Sequence, residues 1–490
     1  MGRKVVWHRY DLRLRDNEAL SNAGEEAAPV YIFDPSWLEN ELVSDARIEF
    51  VLECLEDLNR QYQALDSRIS LLLGDPLEIL NSLEEKGYQV YFNKDANHFR
   101  RKMENKARKK FNGFTGDGIV RNKKGTRKKW KSNAENYIKS KPPTIPETIE
   151  DNPVTNQTKL DEIREKYNIE SGKEKFGQGG SEEAGKRLQK FLDDIEKYPS
   201  SISSPLKAEQ NTSHLSPYIR YGCVSRRMVY RHAKWRAKES ENPEKYEMFT
   251  DRLFWHLNIS QKVEDNPELH KKAVNPVFRD LNKDKRDEEK IEAWKNGKTG
   301  YPLVDASMRA LVETGWINFR MRAMCATFFS YILEQWWKEG ADFFYKHLID
   351  ADVAINYYQW QMHSGTVGVH KHRIYNPTKQ VRDNDPTGEF IKKYVPELRT
   401  LDPSQIAKPW EMTEQEQKKT GVEIGKNYPE PIVNHRNKAR KARKFFKAKK
   451  GEAYAAFRDD EVWRKASLGP RHDREKIIEK ASKQKSLSDY

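Results

Sequence analysis

Cysteine is scarce in this 490-residue chain: Cys54, Cys223 and Cys325 lie far apart and form no CxxC pair. That excludes a disulfide framework and a four-cysteine iron–sulfur cluster, and leaves three small core residues. No run of 18 apolar residues occurs, and the opening "MGRKVVWHRYDLRLRDN" lacks the apolar segment of a signal peptide. The expectation is a soluble, cytoplasmic protein with no membrane span. A GxGxxG after the first strand-like stretch is missing as well, which removes the usual dinucleotide fingerprint. Acid is in deficit: 75 Asp and Glu stand against 89 Lys and Arg, a net +14. Such a balance favours a polyanionic partner, nucleic acid or an acidic surface.

What is present divides into two halves. Up to residue 95, "KVVWH", "APVYIFD", "ISLLLGD" and "QVYFNKD" read as buried strands. Between them Ile48, Val51, Leu52, Leu55 and Leu58 recur at helical spacing, and Asp75-Pro76 offers a cap and a first-turn proline. Strand and helix in alternation predict a parallel α/β sheet. Over 96–175, "RRKMENKARKK" and "RNKKGTRKKWK" lead into "SKPPTIPETIEDNPVTNQT". This composition predicts a long connection across the surface, its charges solvated or touching a nucleic-acid backbone. From "SEEAGKRLQKFLDDIEKY" to about residue 400 helical periods dominate, so this half is expected to be all-α. After residue 435, "RNKARKARKFFKAKKGEAYAAF" reads as a basic surface helix or tail, solvated or bound to phosphates. The expected organisation is an α/β domain over 1–125, a connection over 126–175, a helical domain over 176–435 and a basic extension over 436–490.

"GWINFRMRAM", residues 315–324, poses a question of charge. Ile317, Met321, Met324, Phe328, Ile332 and Trp336 recur at steps of four or three, the apolar face of one helix. Arg320 and Arg322 therefore stand at the margin of a core, where a guanidinium requires a carboxylate, a phosphate or an aromatic plane. "HLIDADVAINYYQWQM" sets Asp350 and Asp352 in apolar surroundings, and Asp350 follows Arg322 by 28 residues, enough for two antiparallel helices to pair them. A purely structural ion pair satisfies the same pattern. In "NTSHLSPYIRYG", Ser216 suits an N-cap and Pro217 the first helical position, with the hydroxyls of Thr212 and Ser213 just upstream. Such a start either binds a diphosphate or merely caps its helix. "HSGTVGVHKHR" groups His363, His370 and His372 without a fourth ligand, so solvent-facing or substrate-facing histidines are expected and no metal.

These stretches resemble, in order and in wording, the photolyase/cryptochrome family of blue-light flavoproteins. "WHRYDLRLRDNEAL" is similar to its opening motif, "TSHLSPY" to its phosphate-binding segment, and "WKNGKTGYPLVDASMRALVETGWINFRMRAM" to its flavin-domain signature. "EGADFFYKHLIDADVAINYYQWQ" and "RIYNPTKQ" complete the series, which spans roughly residues 4 to 435. The resemblance implies a Rossmann-like α/β antenna domain followed by an all-α domain holding a bent FAD. It also implies an antenna chromophore of methenyltetrahydrofolate or 8-hydroxy-5-deazaflavin type. Carried over, Thr212, Ser213, Leu215 and Ser216 cradle the FAD diphosphate and Tyr198 borders the cofactor. Arg322 pairs with Asp350 beside the isoalloxazine, Asp352 faces the pyrimidine edge of the ring, and Asn356 stands opposite flavin N5. Trp360 and Trp337 match the first two members of an electron relay. The third position falls near Asp284, leaving Trp336, Trp294 or a tyrosine to fill it. The implied activity is light-driven repair of UV-induced pyrimidine dimers in DNA by a monomeric enzyme, with the protein supplying position and electrostatics to reduced FAD.

The substrate pocket so implied contains Trp255, Arg252, Phe319, Arg320 and Met362, and it departs from the family's pattern. Members that repair cyclobutane dimers have asparagine at position 319, glutamate at 252 and tryptophan at 362. Those that repair (6-4) dimers have a histidine pair where Asn318-Phe319 stands. These replacements point either to a repair enzyme with its own substrate geometry or to a cryptochrome-type photoreceptor without repair.

Overall fold

The computed structural model describes residues 3–96, 101–121, 126–170, 176–370, 372–468 and 472–485. The chain divides into two compact units. One comprises Met1–Glu196, Ser213–Glu264 and Lys346–Val353; the other comprises Lys197–Thr212, Asp265–Tyr345 and Ala354–Tyr490. Among the described residues no helix is long and apolar enough to cross a membrane.

In the first unit, β1 (Lys4–His8), β2 (Ala27–Phe33), β3 (Ser70–Leu73), β4 (Gln89–Asn93) and β5 (Asn112–Phe114) form a parallel sheet in the order β3-β2-β1-β4-β5. β2 is buried along its whole length, as an interior strand covered on both faces must be. Val5, Trp7, Val30, Ile32, Val90 and Phe92 join one core with Leu72 and Leu80. The Asp45–Gln63 helix buries Ile48, Val51, Leu52, Leu55 and Leu58 as their spacing predicts. Asp75 caps the Pro76–Glu85 helix by accepting the amides of Leu77 and Glu78. Strand order reverses between β1 and β4, and residues just beyond their carboxyl ends, among them Arg9, Asp11, Lys94 and Asp95, line a small polar cleft. Open α/β sheets bind ligands at such reversals.

The stretch 96–175 is more structured than its composition suggests. It contains a helix at Arg101–Lys110, β5, a helix at Thr126–Lys139 and a helix at Leu160–Lys166. The apolar minority explains this: Met103, Ala107 and Phe111 join the sheet core, and Ala134 and Ile138 are fully buried. The first basic cluster is a solvated run only in part, its lysines Lys102, Lys106 and Lys109 being exposed. Arg101 and Arg108 each reach Glu264 at 2.9 Å, and Arg108 also bonds Glu104 at 2.8 Å. Residues 122–125 of the second cluster lie outside the described residues. The proline-rich part straps the outer side of β3: Gln157 donates its amide to the Leu71 carbonyl, and Leu71 donates back to the Asn156 side chain. A strap of this kind shields an edge from pairing with another chain.

The second unit is helical. Its Pro302–Thr314 helix begins over Asp305, whose carboxylate accepts the Thr299 amide and hydroxyl, the Gly300 amide and the Tyr428 hydroxyl, all within 3.1 Å. Burial nevertheless pushes the Asp305 carboxyl up to about 6 from its ordinary 3.8. The folded state thus holds this proton more tightly than the unfolded state. Its contribution to stability is complete below pH 4 and is lost as pH rises through 6. Wild-type stability measured relative to Asp305→Asn is therefore expected to fall by about 3 kcal/mol between pH 4 and pH 7 in urea melts. A difference independent of pH would overturn this assignment.

The single long helix predicted from Ile317 to Trp336 is instead a helix at Phe319–Thr327 followed by a π turn at Phe328–Ile332. Phe328, Phe329, Tyr331 and Ile332 are all buried. The wider turn is closed by Leu333 N–H to Phe328 O at 2.9 Å. The basic segment after 435 is a helix, His435–Ala455, anchored by Ala439, Phe446 and Ala453. Phe446 packs against Phe278, Tyr331 and His372, with ring centroids 5.4, 5.2 and 4.3 Å away.

Candidate functional site

The candidate residues fall in both units. In the helical unit, Asn318 caps the Phe319–Thr327 helix by accepting the Met321 amide. Its own amide donates to the carbonyls of Ile202 and Ser203 at 3.1 and 3.3 Å. Sequence reasoning gave Asn318 no role, yet it fixes where the helix carrying Arg320 and Arg322 begins. Arg322 is half-buried and donates from Nε to the Ile317 carbonyl at 2.8 Å. Tyr198 is buried at the start of a four-residue helix, and Thr212 donates its hydroxyl to Ala208 O at 2.7 Å.

In the other unit, Ser213 Oγ accepts the Leu215 amide, and His214 takes a left-handed φ of +48°. That reversal moves the cap one residue earlier than expected: Leu215, buried, is the N-cap of Ser216–Arg220, while Ser216 is the first helical residue and is exposed. Asp350 and Asp352 are both buried. Arg220, lying over the Tyr10 ring at 4.0 Å, donates from Nε to Ala351 O at 3.0 Å and so holds the loop between the two aspartates. Asp352 also has a neighbour that sequence reasoning missed. Arg226 Nε donates to His256 Nδ1 at 2.5 Å, leaving Nε2 as the protonated nitrogen, 3.6 Å from the Asp352 carboxylate. Burial, reinforced by Arg226, lowers the His256 pKa below its ordinary value, so this imidazole is neutral. The available signal was its place directly after Trp255.

The Val353–His363 helix carries the remaining candidates. Asn356 is buried and donates one amide hydrogen to Ala341 O at 2.8 Å. Trp360 stands edge-on to Phe344 at 5.1 Å, Phe329 at 5.9 Å and Trp294 at 6.0 Å. Of the three options for a further relay member, Trp294 is thus packed against Trp360, while Trp337 lies 6.5 Å from the ring of Tyr357. Trp336 is half-buried beneath the Lys283 ammonium at 5.4 Å. Gln361, absent from the sequence reading, locks this helix in place. It donates to the carbonyls of Leu269 and Lys272 and accepts the Val274 amide.

The substrate-pocket candidates are open. Phe319 is 54% exposed and Trp255 52%, Arg252 is exposed and Met362 half-buried. Arg320 is steadied by the Tyr375 hydroxyl at 3.4 Å and Ser203 Oγ at 3.3 Å. The His363 ring lies 5.7 Å from that of Phe319. Burial, with Arg373 and Arg320 nearby, pushes the His363 pKa down to about 4, so it is neutral at physiological pH. His370 and His372 meet the hydroxyls of Tyr358 and Tyr331, each at 3.3 Å. Among the described residues no three metal-ligating side chains cluster.

These groups suit a flavin dinucleotide. Ser213 and Ser216 offer hydroxyls to phosphate oxygens, whereas the Thr212 hydroxyl hydrogen is committed to Ala208 O. Asn356 is a buried amide whose carbonyl and second hydrogen form no hydrogen bond among the described residues, a capacity that a ring edge would use. Asp352 adds a buried carboxylate beside a neutral imidazole.

The chain thus holds a parallel-sheet unit and a helical unit. Residues 4–115 match the family model described as DNA photolyase, and residues 249–448 match that described as the FAD binding domain of DNA photolyase. A deoxyribodipyrimidine photo-lyase of Synechococcus sp. is 30% identical over 94% of this chain and 98% of its own length. A cryptochrome DASH of Gloeobacter violaceus is 27% identical over 88% and 93%. Among solved structures, a bacterial class III photolyase from Agrobacterium tumefaciens is 28% identical, with a TM-score of 0.78 over 91% of this chain and 98% of that one. A photolyase from Sulfolobus tokodaii, described with two FAD molecules and a novel light-harvesting cofactor, is 28% identical with a TM-score of 0.74 over 91% and 99%. The chain belongs to the photolyase/cryptochrome family, and FAD is its cofactor.

Proposed function

We propose that this protein is a DNA photolyase-type enzyme that repairs UV-induced pyrimidine dimers, acting as a cytoplasmic monomer. In this reading 1–125 is the antenna domain, 126–175 the connection, 176–435 the catalytic domain and 436–490 a basic extension. Bound FAD supplies the light-driven electron. The chain's own residues bind and orient: Thr212, Ser213, Leu215 and Ser216 hold the diphosphate end, Tyr198 borders the cofactor, Arg322 and Asp350 form the pair beside the ring, and Asp352 faces its pyrimidine edge. The observation that carries the proposal is Asn356. Its amide, fixed by Ala341 O and with hydrogen-bonding capacity to spare, is suited to hold a proton at flavin N5. Trp360 and Trp337 would pass an electron toward bound oxidised FAD. Trp255, Phe319 and Met362 receive a base flipped from the stack, with Arg252 and Arg320 available to phosphates. The cleft at the β1/β4 reversal is the proposed antenna seat.

One observation favours the second reading, a photoreceptor without repair: position 319 presents an exposed phenyl ring and position 252 a cation, where a polar base edge would need an amide and a carboxylate. The deciding experiment photoreduces the flavin with blue light and adds oligonucleotides carrying cyclobutane or (6-4) dimers. Loss of one lesion class in light and not in darkness is expected. Intact lesions beside reversible flavin reduction would overturn repair and leave the photoreceptor.

A further inference from the structure

The His435–Ala455 helix carries nine Lys and Arg and a single acidic residue, Glu452. Such a run is most often a solvated face, so the disposition of its charges decides the matter. Three properties set this helix apart. Its apolar face is already used, because Ala439, Phe446 and Ala453 are buried and Phe446 is enclosed by Phe278, Tyr331 and His372. The lysines of one flank are paired: Lys438 and Lys441 both meet Glu334, and Lys449 meets Glu452. The other flank is not, for Arg436, Arg440, Arg443 and Lys444 are exposed and form no ion pair among the described residues. Arg436, Arg440 and Lys444 recur every four residues and therefore share one stripe. Over the eight residues from first to last, the stripe runs about 12 Å along the helix.

We infer that this stripe is a docking surface for the sugar–phosphate backbone of duplex DNA, outside the lesion pocket. A DNA strand presents a phosphate roughly every 3.4 Å along the duplex axis, so the stripe can face about three or four of them. An anionic membrane would also attract the charge. Membrane-surface helices, however, bury an apolar face among the lipids, and here that face is committed to the protein interior, with only Phe445, 37% exposed, left outside. Uncompensated cations held on a rigid helix bind phosphates by releasing counterions, a sequence-independent term that positions the protein without reading bases. The inference rests on the repair reading for its biological partner, but its test does not depend on repair.

The test uses the full-length, flavin-loaded protein in darkness with an undamaged fluorescent duplex, measuring affinity from 50 to 200 mM salt. The R436Q/R440Q/K444Q variant is expected to bind at least about tenfold more weakly at low salt, and to lower the log–log salt slope by roughly 2 to 3. A charge-matched control, K418Q/K419Q/K426Q, is expected to keep the wild-type slope. An unchanged slope in the stripe variant, or an equal loss in the control, would overturn the inference. So would a stripe variant that loses binding to phosphatidylserine vesicles while its duplex affinity stays intact. Far-UV circular dichroism and retained flavin absorbance show that the variant is folded. A wild-type protein that binds duplex through the stripe and yet clears no dimer in light would remove the repair reading alone.

Discussion

Trp360→Phe is expected to leave the flavin bound and the fold intact while slowing photoreduction of oxidised flavin by at least about 100-fold, equivalent to roughly 2.7 kcal/mol of barrier. The reason is chemical more than steric. Phenylalanine fills much of the box made by Phe344, Phe329 and Trp294, but a phenyl ring is far harder to oxidise than an indole. The measurement is the decay of flavin absorbance under blue light with a thiol donor, beside the flavin-to-protein ratio of the purified variant. Wild-type decay with full flavin occupancy would remove Trp360 from the relay. Trp294→Phe and Trp337→Phe, assayed in the same way, show which neighbour comes next: the on-path residue slows photoreduction and the other does not.

Gly222→Ala should be among the most damaging single-methyl changes in the chain, costing about 4 kcal/mol from the sum of left-handed backbone strain and overpacking. Gly222 has a φ of +74°, and a Cβ there would lie 2.1 Å from the Tyr10 carbonyl oxygen and 2.6 Å from Asp11 Cα. The obstacle is backbone, so no side chain can rotate away. The neighbourhood is also tied together: Arg13 donates to Gly222 O at 2.9 Å, and Leu12 N donates to Tyr221 O at 3.1 Å. Poor soluble expression and a strongly lowered melting temperature are the expected readouts. A variant within about 1 kcal/mol of wild type in urea melts would refute the geometry. Gly340→Ala makes a milder companion, because its Cβ would meet Trp360 Cη2 at 2.4 Å. There the obstacle is an indole, which can shift, at a cost of about 1 to 3 kcal/mol.

Four strands of the parallel sheet were legible because each is an apolar run with a helix between it and the next, whereas β5, a short Asn-Gly-Phe stretch, was not. The Asp75 cap was legible because caps are local. The 96–175 stretch was misread for a reason of proportion. A few apolar residues, Met103, Ala107, Ala134 and Ile138, anchor helices whose remaining positions are charged, and composition averages over them. His256 and Gln361 were invisible because their partners lie far along the chain, Gln361 bonding residues 269 to 274; the local cap of Asn318 was open to reading, but its bonds to residues 202 and 203 were not. The π turn was hidden too, since one wide turn at Phe328–Ile332 barely disturbs a helical period.

By itself the sequence determined the two-part architecture, the flavin family and the net positive charge, because periodicity, motif order and composition are properties of neighbouring residues and of sums. Only the tertiary structure decided which charges are spent and which remain. Arg101 and Arg108 are consumed by Glu264, Lys438 and Lys441 by Glu334, while Arg436, Arg440 and Lys444 face water. Whether a cation is neutralised depends on a carboxylate brought to it by the fold, often from more than a hundred residues away, and no local pattern records that distance.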